Sequence, residues 1–395
     1  MEKKLPHIYT FLWLLYYQQD GTSVSRVVLV LLLLISFYYW GHAMMRYKLP
    51  TPLKILAPLV IVWTFYGLIP MLQGSGFNTF YISDTRSYIQ PFTEIKGICI
   101  SILPIYAYYV FAKKGYITLK SLQIWSIIFF IFAIYTFISS RNALMLKYDS
   151  DEVINNASYV VVSLLTLIPL YARKPILQYV LMIVCMMLVL MGFKRGAIII
   201  GVLCSLWIVY TSIRTGTSLH DKSPRSSKVI RWVMVFLFLI ISVYVVRYQL
   251  ETSDFFNKRL TNTLEGDASG REDLFSLYYN HFIHETSLLK FLFGNGVYGT
   301  LQIGGNFAHN DWLEIAVDYG LLSLIMYFSF WVSLMVTFLR GKRGVHTTYI
   351  LGLFFVIYFL KTFFSMSYNN ISLYAACALG YAFANYVSKR GNQLI

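Results

Sequence analysis

Apolar runs of about twenty residues alternate with short polar segments along most of the chain. A backbone in lipid must satisfy its own hydrogen bonds, so each run predicts a transmembrane α-helix. The pattern predicts an all-α, polytopic membrane protein with about 12 spans. The first run is short, and an interfacial helix is the alternative for it. The runs cover about 5–17, 25–44, 53–72, 97–112, 121–139, 158–172, 176–193, 196–212, 230–247, 312–339, 347–366 and 371–387.

The spacing of the runs predicts one integrated membrane domain in three parts. Residues 1–247 form an N-terminal bundle, 248–309 a long loop, and 310–395 the C-terminal helices. Within the loop, Ser269 and Glu272 have the spacing of a capping box, which predicts a helix over about 271–291. Its apolar face suits a position near the membrane surface. That face comprises Leu274, Phe275, Leu277, Tyr278, Phe282 and Leu288.

Lysine and arginine are concentrated in alternate loops. Together with both termini, these loops hold 20 of the 33 Lys and Arg residues but only 2 of the 18 acids. Because such loops stay on the cytoplasmic side, both termini are predicted to be cytoplasmic. Segments 77–96, 141–157, 192–196 and 248–309 are then predicted to face the periplasm or the exterior. The net charge of +15 is therefore explained by topology and contact with membrane lipids, and no nucleic-acid partner is predicted.

The start of the span near residue 311 is unusually polar. Asn310, Glu314 and Asp318 are spaced four apart and share a helix face, with His309 at the positive end of the helix dipole. Ionisable groups at the mouth of a membrane helix predict a functional site. His309 is the candidate general base or hydrogen-bond donor, and Glu314 would orient its imidazole or act as the base. For Asn310, helix capping is an alternative that is compatible with a role in the site.

Several cations are predicted on the same side of the membrane. Arg195 and Lys194 lie in a GFKRG turn between two spans, and Arg271 lies at the start of the loop helix. Guanidinium groups bind anions such as a diphosphate in a bidentate way. Arg259 is a weaker candidate of the same kind. For Lys194, snorkelling to lipid phosphates is the favoured alternative, and for Arg271 a solvated pair with a neighbouring acid is equally compatible.

No metal site or cofactor is predicted. His281 and His284 lie in an HFIHE segment that matches neither zincin pattern, and no third ligand is evident. The cysteines lie inside apolar runs without CxxC spacing, which argues against a zinc site and a disulfide. They are Cys99, Cys185, Cys204 and Cys377.

The order of several short motifs resembles the O-antigen polymerase and ligase superfamily. The motifs are KRGA at 194–197, SGRxxLF at 269–275, GNGxxG at 294–299 and the HNDWLEIAVDYG segment from 309. The matched positions include His309-Asn310, Leu313-Glu314 and Gly320, whereas Ser323 stands where a second glycine is common. The likeness covers about 195–327, a third of the chain; the first half matches only in hydropathy.

The resemblance implies a GT-C-like membrane glycosyltransferase in the bacterial inner membrane with a periplasmic active face. Such an enzyme transfers glycan from undecaprenyl diphosphate with inversion and without metal or nucleotide sugar. By position, Arg195 and Arg271 would bind the donor diphosphate and His309 would activate the acceptor hydroxyl. Lipid-linked oligosaccharides are the implied donor and acceptor, with a chain-length regulator and a flippase as further partners.

Within this superfamily, a polymerase extends the next lipid-linked repeat unit, and a ligase transfers the glycan to lipid A core. We favour the polymerase because the loop is of moderate length and the first half diverges. A secondary transporter is the alternative from another class, but paired broken helices in two halves are not evident, and Lys361 is the main intramembrane cation. A non-catalytic scaffold is disfavoured by the polar residues predicted to converge on one face. An enzyme would lengthen a glycan, whereas a transporter would move a substrate without covalent change.

Overall fold

A computed structural model describes residues 2–19, 21–72, 80–83, 87–148, 153–215, 229, 232–237, 240, 243–244, 247, 251, 261, 271–342 and 345–387. Its α-helices are α1 Leu5–Gln18, α2 Ser23–Arg46, α3 Thr51–Leu72, α4 Pro91–Lys113, α5 Leu119–Tyr148, α6 Ser158–Ser163, α7 Pro175–Met191, α8 Arg195–Thr215, α9 Arg271–Ile283, α10 Leu288–Phe293, α11 Gly299–Gly304, α12 Asp311–Arg340, α13 His346–Phe364 and α14 Leu373–Ala384. A 3₁₀-helix, Leu164–Tyr171, continues α6.

Seven of the described helices are long and apolar enough to cross a membrane: α2, α3, α4, α5, α8, α12 and α13. Three shorter apolar helices, α6 with its 3₁₀ extension, α7 and α14, complete the bundle. By length and composition these are the helices of a multi-pass, all-α membrane protein. The departure from all-α is a small hairpin, β1 Phe80–Ile82 and β2 Ser87–Ile89, in which Phe80 pairs with Ile89. The predicted span 230–247 lies largely outside the described residues.

Local sequence signals set where the helices begin. Pro91 and Pro175 occupy first-turn positions, where a missing N–H costs nothing. Thr22, Asn310 and Ser372 are N-caps whose side chains accept hydrogen bonds from backbone N–H groups in the first turn. These start signals explain why the hydropathy pattern places the observed spans to within a few residues.

Hydrogen bonds between the connecting segments show which of them lie at the same end of the bundle. At one end, the Asn155 N–H donates to the Gly192 carbonyl (2.9 Å), and the Ser83 N–H donates to the Gly305 carbonyl (2.9 Å). We call this the site end, formed by residues 80–83, 87–91, 153–158, 192–196, 271–311 and 364–370. At the opposite end, the Lys342 N–H donates to the Val387 carbonyl (2.8 Å). The opposite end carries lysine-rich and arginine-rich loops.

Two short elements lie inside the bundle. Every residue of α14 except its last, Ala384, is buried, and so is every residue of the 3₁₀-helix. Residues 365–372, which precede α14, are not helical, and Ser372 is joined to Ser163 by a hydroxyl–hydroxyl bond (2.6 Å). Irregular backbone inside a membrane protein is tolerated where protein or a polar cavity surrounds it. The interior of the site end therefore combines broken helices with unusual polarity.

The helix α12 breaks at Gly320, which corrects the expectation of one uninterrupted helix. Gly320 has φ 76° and ψ −179°, a region accessible essentially only to glycine. The carbonyls of Val317 and Asp318 accept the N–H groups of Asn295 and Gly296, both at 2.9 Å. The GNG motif thus satisfies helix carbonyls beside the break. Asn310, the cap, and the polar first turns lie before the break.

Replacing Gly320 by alanine should destabilise this junction strongly. An added Cβ would lie 2.5 Å from the Gly294 nitrogen and the Leu292 carbonyl oxygen, and both obstacles are backbone atoms. We expect a loss of at least ~1–3 kcal/mol from the backbone conformation alone. The readout is the thermal midpoint of the purified protein. Gly41→Ala is the matched control because its Cβ would meet nothing within 4 Å in helix α2, and its midpoint should stay unchanged or rise.

The loop helix is shorter than the sequence predicts. The predicted helix over 271–291 is observed as α9, which ends at Ile283, and a separate α10 from Leu288. Ser287 causes the restart, because its hydroxyl accepts the Lys290 N–H and caps the new helix. Leu288 is 69% exposed rather than part of a continuous apolar face. The capping residue Ser269 lies outside the described residues.

Candidate active site

The C-terminal end of α13 and the segment after it anchor the start of α12. The Trp312 indole N–H donates to Thr362 Oγ1 (2.9 Å). Asp311 is fully buried and accepts the Ser367 N–H (2.7 Å), the Ser367 hydroxyl and the Tyr327 hydroxyl (2.6 Å). Charge-assisted bonds of this kind are strong and geometrically demanding. The residues just before Asp311 are therefore held in a defined position.

His309 occupies a strained backbone position between two fixed neighbours. Its φ is 53°, a left-handed value that costs a non-glycine residue about 1–2 kcal/mol. The Ala308 N–H donates to Glu314 Oε1 (2.5 Å), and Asn310 Oδ1 accepts the N–H groups of Trp312 (2.9 Å) and Leu313 (3.3 Å). His309 itself is half-buried. Strain that the surroundings enforce on a titratable residue is typical of functional sites.

Glu314 and Asp318 attach the loop to the helix. Thr300 donates its hydroxyl to Glu314 Oε2 (2.7 Å) and its N–H to Asp318 Oδ1 (2.9 Å). Glu314 is 0% exposed, and both of its oxygens accept hydrogen bonds: Oε2 from Thr300 and Oε1 from the Ala308 N–H. This geometry favours a positioning role for Glu314, which holds the backbone before His309. Its predicted role as a base stays a prediction, and Asn310 acts as the helix cap.

Two substitutions of Glu314 should separate these roles. Glutamine keeps one oxygen for Ala308, and its amide can donate to the Thr300 hydroxyl, which can accept. We expect Glu314→Gln to retain most activity and Glu314→Ala to lose it while destabilising the protein by about 1–3 kcal/mol. Activity and thermal midpoint should be measured together for both variants. If Glu314→Gln folds normally but is inactive, Glu314 acts as the base.

Arg271 lies against the end of α13. Its Nη1 donates to the carbonyl of Phe364, the last residue of that helix (3.2 Å). A cation there also suits the negative end of the helix dipole. Gly196 approaches the same point, because a Cβ on it would lie 2.9 Å from the Phe364 Cβ. The structure thus brings the GFKRG turn, with half-buried Arg195, next to Arg271.

Tyr159 lies at the centre of the cations. The Nζ of Lys194 lies 5.9 Å from the Tyr159 ring centroid, and the Nζ of Lys361 lies 5.4 Å from it. A Cβ on Gly196 would meet both the Tyr159 hydroxyl and Phe364, whose carbonyl accepts a hydrogen bond from Arg271. Lys361 is only 3% exposed and donates to the Asn370 carbonyl (2.9 Å). We call Lys194, Arg195, Arg271 and Lys361 the cation cluster.

The glycines of the GFKRG turn leave no room for a side chain. A Cβ on Gly192 would lie 1.9 Å from Ser158 Oγ, and one on Gly196 would lie 2.4 Å from the Tyr159 hydroxyl. The glycines therefore allow the turn to pack against α6. Phe193 between them has φ 50°, a second strained residue beside the cluster.

A further buried acid escaped the sequence analysis. Glu94, in the first turn of α4, is 3% exposed and accepts bonds from Asn369 Nδ2 (2.9 Å) and the Tyr319 hydroxyl (3.3 Å). It joins α4 to α12 and to the segment before α14. Nearby, burial raises the pKa of the Tyr298 hydroxyl, which stays protonated and donates to the Gln90 carbonyl (3.3 Å). An acid at the start of an apolar run was the available signal for Glu94.

Arg259 lies outside the described residues. The two histidines of the HFIHE segment have other contacts. His281 contacts Glu285 Oε2 (3.7 Å) and Asn295 Nδ2 (3.3 Å), and His284 contacts the Asn280 carbonyl (2.9 Å). Over the ranges that the structure describes, no group of three or more His, Cys, Asp or Glu residues is arranged to hold a metal ion.

The arrangement can bind an anion beside a titratable group. Cations from three separate parts of the sequence, the turn with Lys194 and Arg195, Arg271 and Lys361, meet around Tyr159 and Phe364. The segment bearing His309 is tied to the same stretch of chain through Asp311 and Ser367. Fixed cations in a partly buried site stabilise developing negative charge far better than solvated ones. Comparisons with models of known protein families and with curated proteins find no match for this chain.

Proposed function

We propose that the protein is a polymerase of a bacterial surface polysaccharide such as O-antigen. It would be an inner-membrane glycosyltransferase that moves a growing glycan from undecaprenyl diphosphate onto the next lipid-linked repeat unit. The fold in this proposal is GT-C-like and has 12 spans, with cytoplasmic termini and the site end in the periplasm. The motif resemblance supplies the reaction class, and the charge distribution supplies the orientation.

The observation that carries the proposal is the meeting of the cation cluster with the His309 segment. Arg271 and Lys361 lie at the end of α13 with the turn that bears Lys194, and Asp311 ties the His309 segment to the chain three residues beyond Phe364. A lipid diphosphate carries negative charge at the membrane surface, where such cations would bind it. The residues that the motifs indicate are distant in the sequence. The proposal requires them to lie close together in the fold, and that closeness supports it.

The proposed step is a single displacement at the anomeric carbon of the donor sugar. The acceptor hydroxyl oxygen forms the new bond to that carbon as the bond to the diphosphate oxygen breaks. The electron pair leaves with the diphosphate, whose charge Arg195, Arg271, Lys194 and Lys361 stabilise. The hydroxyl proton passes to the His309 imidazole. Inversion at the anomeric carbon rests on the resemblance.

The ligase reaction is the second candidate, and it uses the same donor chemistry. The two differ only in the acceptor, which is a lipid-linked repeat unit for a polymerase and lipid A core for a ligase. Transport is less well supported, because a clustered set of cations beside a strained histidine suits bond breaking at an anionic leaving group.

The glycan profile of a deletion strain tests the proposal. Lipopolysaccharide or capsule would be resolved on a gel, and lipid-linked intermediates would be identified by mass spectrometry. Single repeat units on core, with the ladder lost and restored by the wild-type gene, are expected for a polymerase. Long polymers on undecaprenyl diphosphate with bare core would instead identify a ligase. An unchanged profile of surface glycans and intermediates would overturn the glycosyltransferase assignment.

A further inference from the structure

A cavity of about 500 Å³ lies beside the cation cluster at the site end. Its volume is in the range of sites that hold small molecules. It is partly open, and it is lined by the end of α1, α4, α5, the start of α6 and the segment 369–374. None of the functional residues predicted from the sequence lines it, so it is a separate compartment of the site.

The described wall of the cavity is uncharged and combines apolar side chains with hydroxyl and amide groups. Hydroxyl and amide side chains contribute to it from three parts of the chain, including Ser101, Thr136, Ser140 and Asn370. An uncharged wall gives no counter-charge to a phosphate, whereas hydroxyls and amides can exchange hydrogen bonds with a polyhydroxylated ligand. The lining therefore favours a neutral, hydroxyl-rich compound.

Aromatic rings complete the wall. Tyr17, Phe132 and Tyr374 line the cavity together with the polar groups. A mixture of apolar rings with a few polar groups is typical of small-molecule sites, in which the polar groups fix orientation. A sugar ring presents C–H groups on its faces and hydroxyls on its edge, and it matches such a wall.

The start of α6 lies between the cavity and the cation cluster. The first turns of α6 contribute Ala157 and Val160 to the cavity, whereas Tyr159 lies beneath Lys194 and Lys361. Asn370 also faces both compartments, because its carbonyl accepts from Lys361 while the residue lines the cavity. Within the described chain, the Asn370 side chain makes no hydrogen bond, and the residue is exposed.

We propose that this cavity binds a neutral sugar residue of the glycan whose diphosphate occupies the cation cluster. The inference rests on the proposed function and adds to it the place of the sugar. The amide of Asn370 would hydrogen-bond the sugar hydroxyls, and the rings of Tyr17 and Phe132 would contact its faces.

The test is direct binding, measured without turnover. The probe is the repeat-unit oligosaccharide released by mild acid from the lipid-linked intermediates of the deletion strain, which removes lipid and diphosphate. Saturation-transfer NMR and calorimetry would follow its binding to the full-length protein in nanodiscs. We expect about threefold to tenfold weaker binding for Asn370→Ala, the equivalent of one hydrogen bond. We expect a larger loss, at least tenfold, for Ala157→Phe, because its side chain would take up part of the space that the sugar occupies.

Asn142→Ala is the matched control, because Asn142 is exposed on α5 away from the cavity lining. It should bind like the wild type. Wild-type affinity in both cavity variants, or no binding by the wild type, would overturn the inference. So would a phospholipid that co-purifies with the wild type and is lost from Ala157→Phe, which would make the cavity a lipid site. If Ala157→Phe does not fold, Asn370→Ala decides. Failure of the polymerase proposal would appear separately, as an unchanged glycan profile in the deletion strain.

Discussion

Replacing His309 by alanine should reduce polymerisation by about 10²–10⁴-fold, the usual contribution of a general acid–base group. The imidazole would be lost, while the hydrogen bonds that hold the neighbouring residues remain. Ala308 is fixed by Glu314, and Asn310 still caps α12, since both bonds use groups other than the His309 ring. The measurement is the length distribution of surface glycan in the deletion strain complemented with each variant. Single repeat units on core should dominate with His309→Ala.

The control for this variant is His284→Ala. His284 is exposed just after the end of α9, and its Nδ1 lies 2.9 Å from the Asn280 carbonyl, one turn earlier. Glycan length should be unchanged with that variant. Immunoblots of membranes must show equal amounts of both proteins. If His309→Ala is present at the wild-type level and gives a normal ladder, His309 is not the proton acceptor.

The membrane-spanning helices can be predicted from the sequence because a helix in lipid needs a run of about twenty apolar residues. Eleven of the twelve predicted runs are observed as helical segments. Most bounds shift by a few residues, and the largest shifts are extensions into polar segments. The start of α4 moves from about 97 to Pro91, and the end of α5 moves from about 139 to Tyr148. Hydropathy measures the apolar stretch, whereas the helix continues until a proline, a cap or a turn ends it.

The breaks inside helices were harder to read. Gly320 stands in an apolar run that is long enough for one span, and a lone glycine is tolerated in a helix at a cost of about 1 kcal/mol. Its partner in the break, Gly294, is 26 positions away, and each permits the close backbone contact of the other. Only the tertiary structure joins them. The motif resemblance had singled out both segments without giving a physical reason.

The site was partly readable for a similar reason. Its polar residues stand out against apolar surroundings, and this contrast makes His309, Arg195 and Arg271 candidates. Their proximity depends on the end of α13, which offers the Phe364 carbonyl to Arg271 and the Ser367 N–H to Asp311. Glu94 was missed because its partners, Asn369 and Tyr319, are more than 200 positions away. Periodicity reports which face a residue occupies, not which distant segment covers that face.

Arg271 carries the second large prediction. Alanine at this position should lower polymer formation by about 10²–10³-fold, the usual effect of removing one group that stabilises a developing negative charge. Lysine should recover only part of the activity, because an ammonium group cannot bind a diphosphate in the planar, two-point manner of a guanidinium. Glycan length in the complemented strain and binding of undecaprenyl diphosphate to the purified protein would both be measured.

The binding measurement separates charge stabilisation from a purely structural role. Arg271 also caps α13 through the Phe364 carbonyl, so Arg271→Ala should lower the thermal midpoint slightly. If activity falls only in proportion to the amount of folded protein, and diphosphate affinity is unchanged, capping is the whole function of Arg271. Arg247→Ala is the matched control: its side chain is 77% exposed and pairs with Glu251 at 2.7 Å, so its loss should alter neither glycan length nor affinity. A selective loss of diphosphate binding with Arg271→Ala would place the leaving group at the end of α13, between the GFKRG turn and His309.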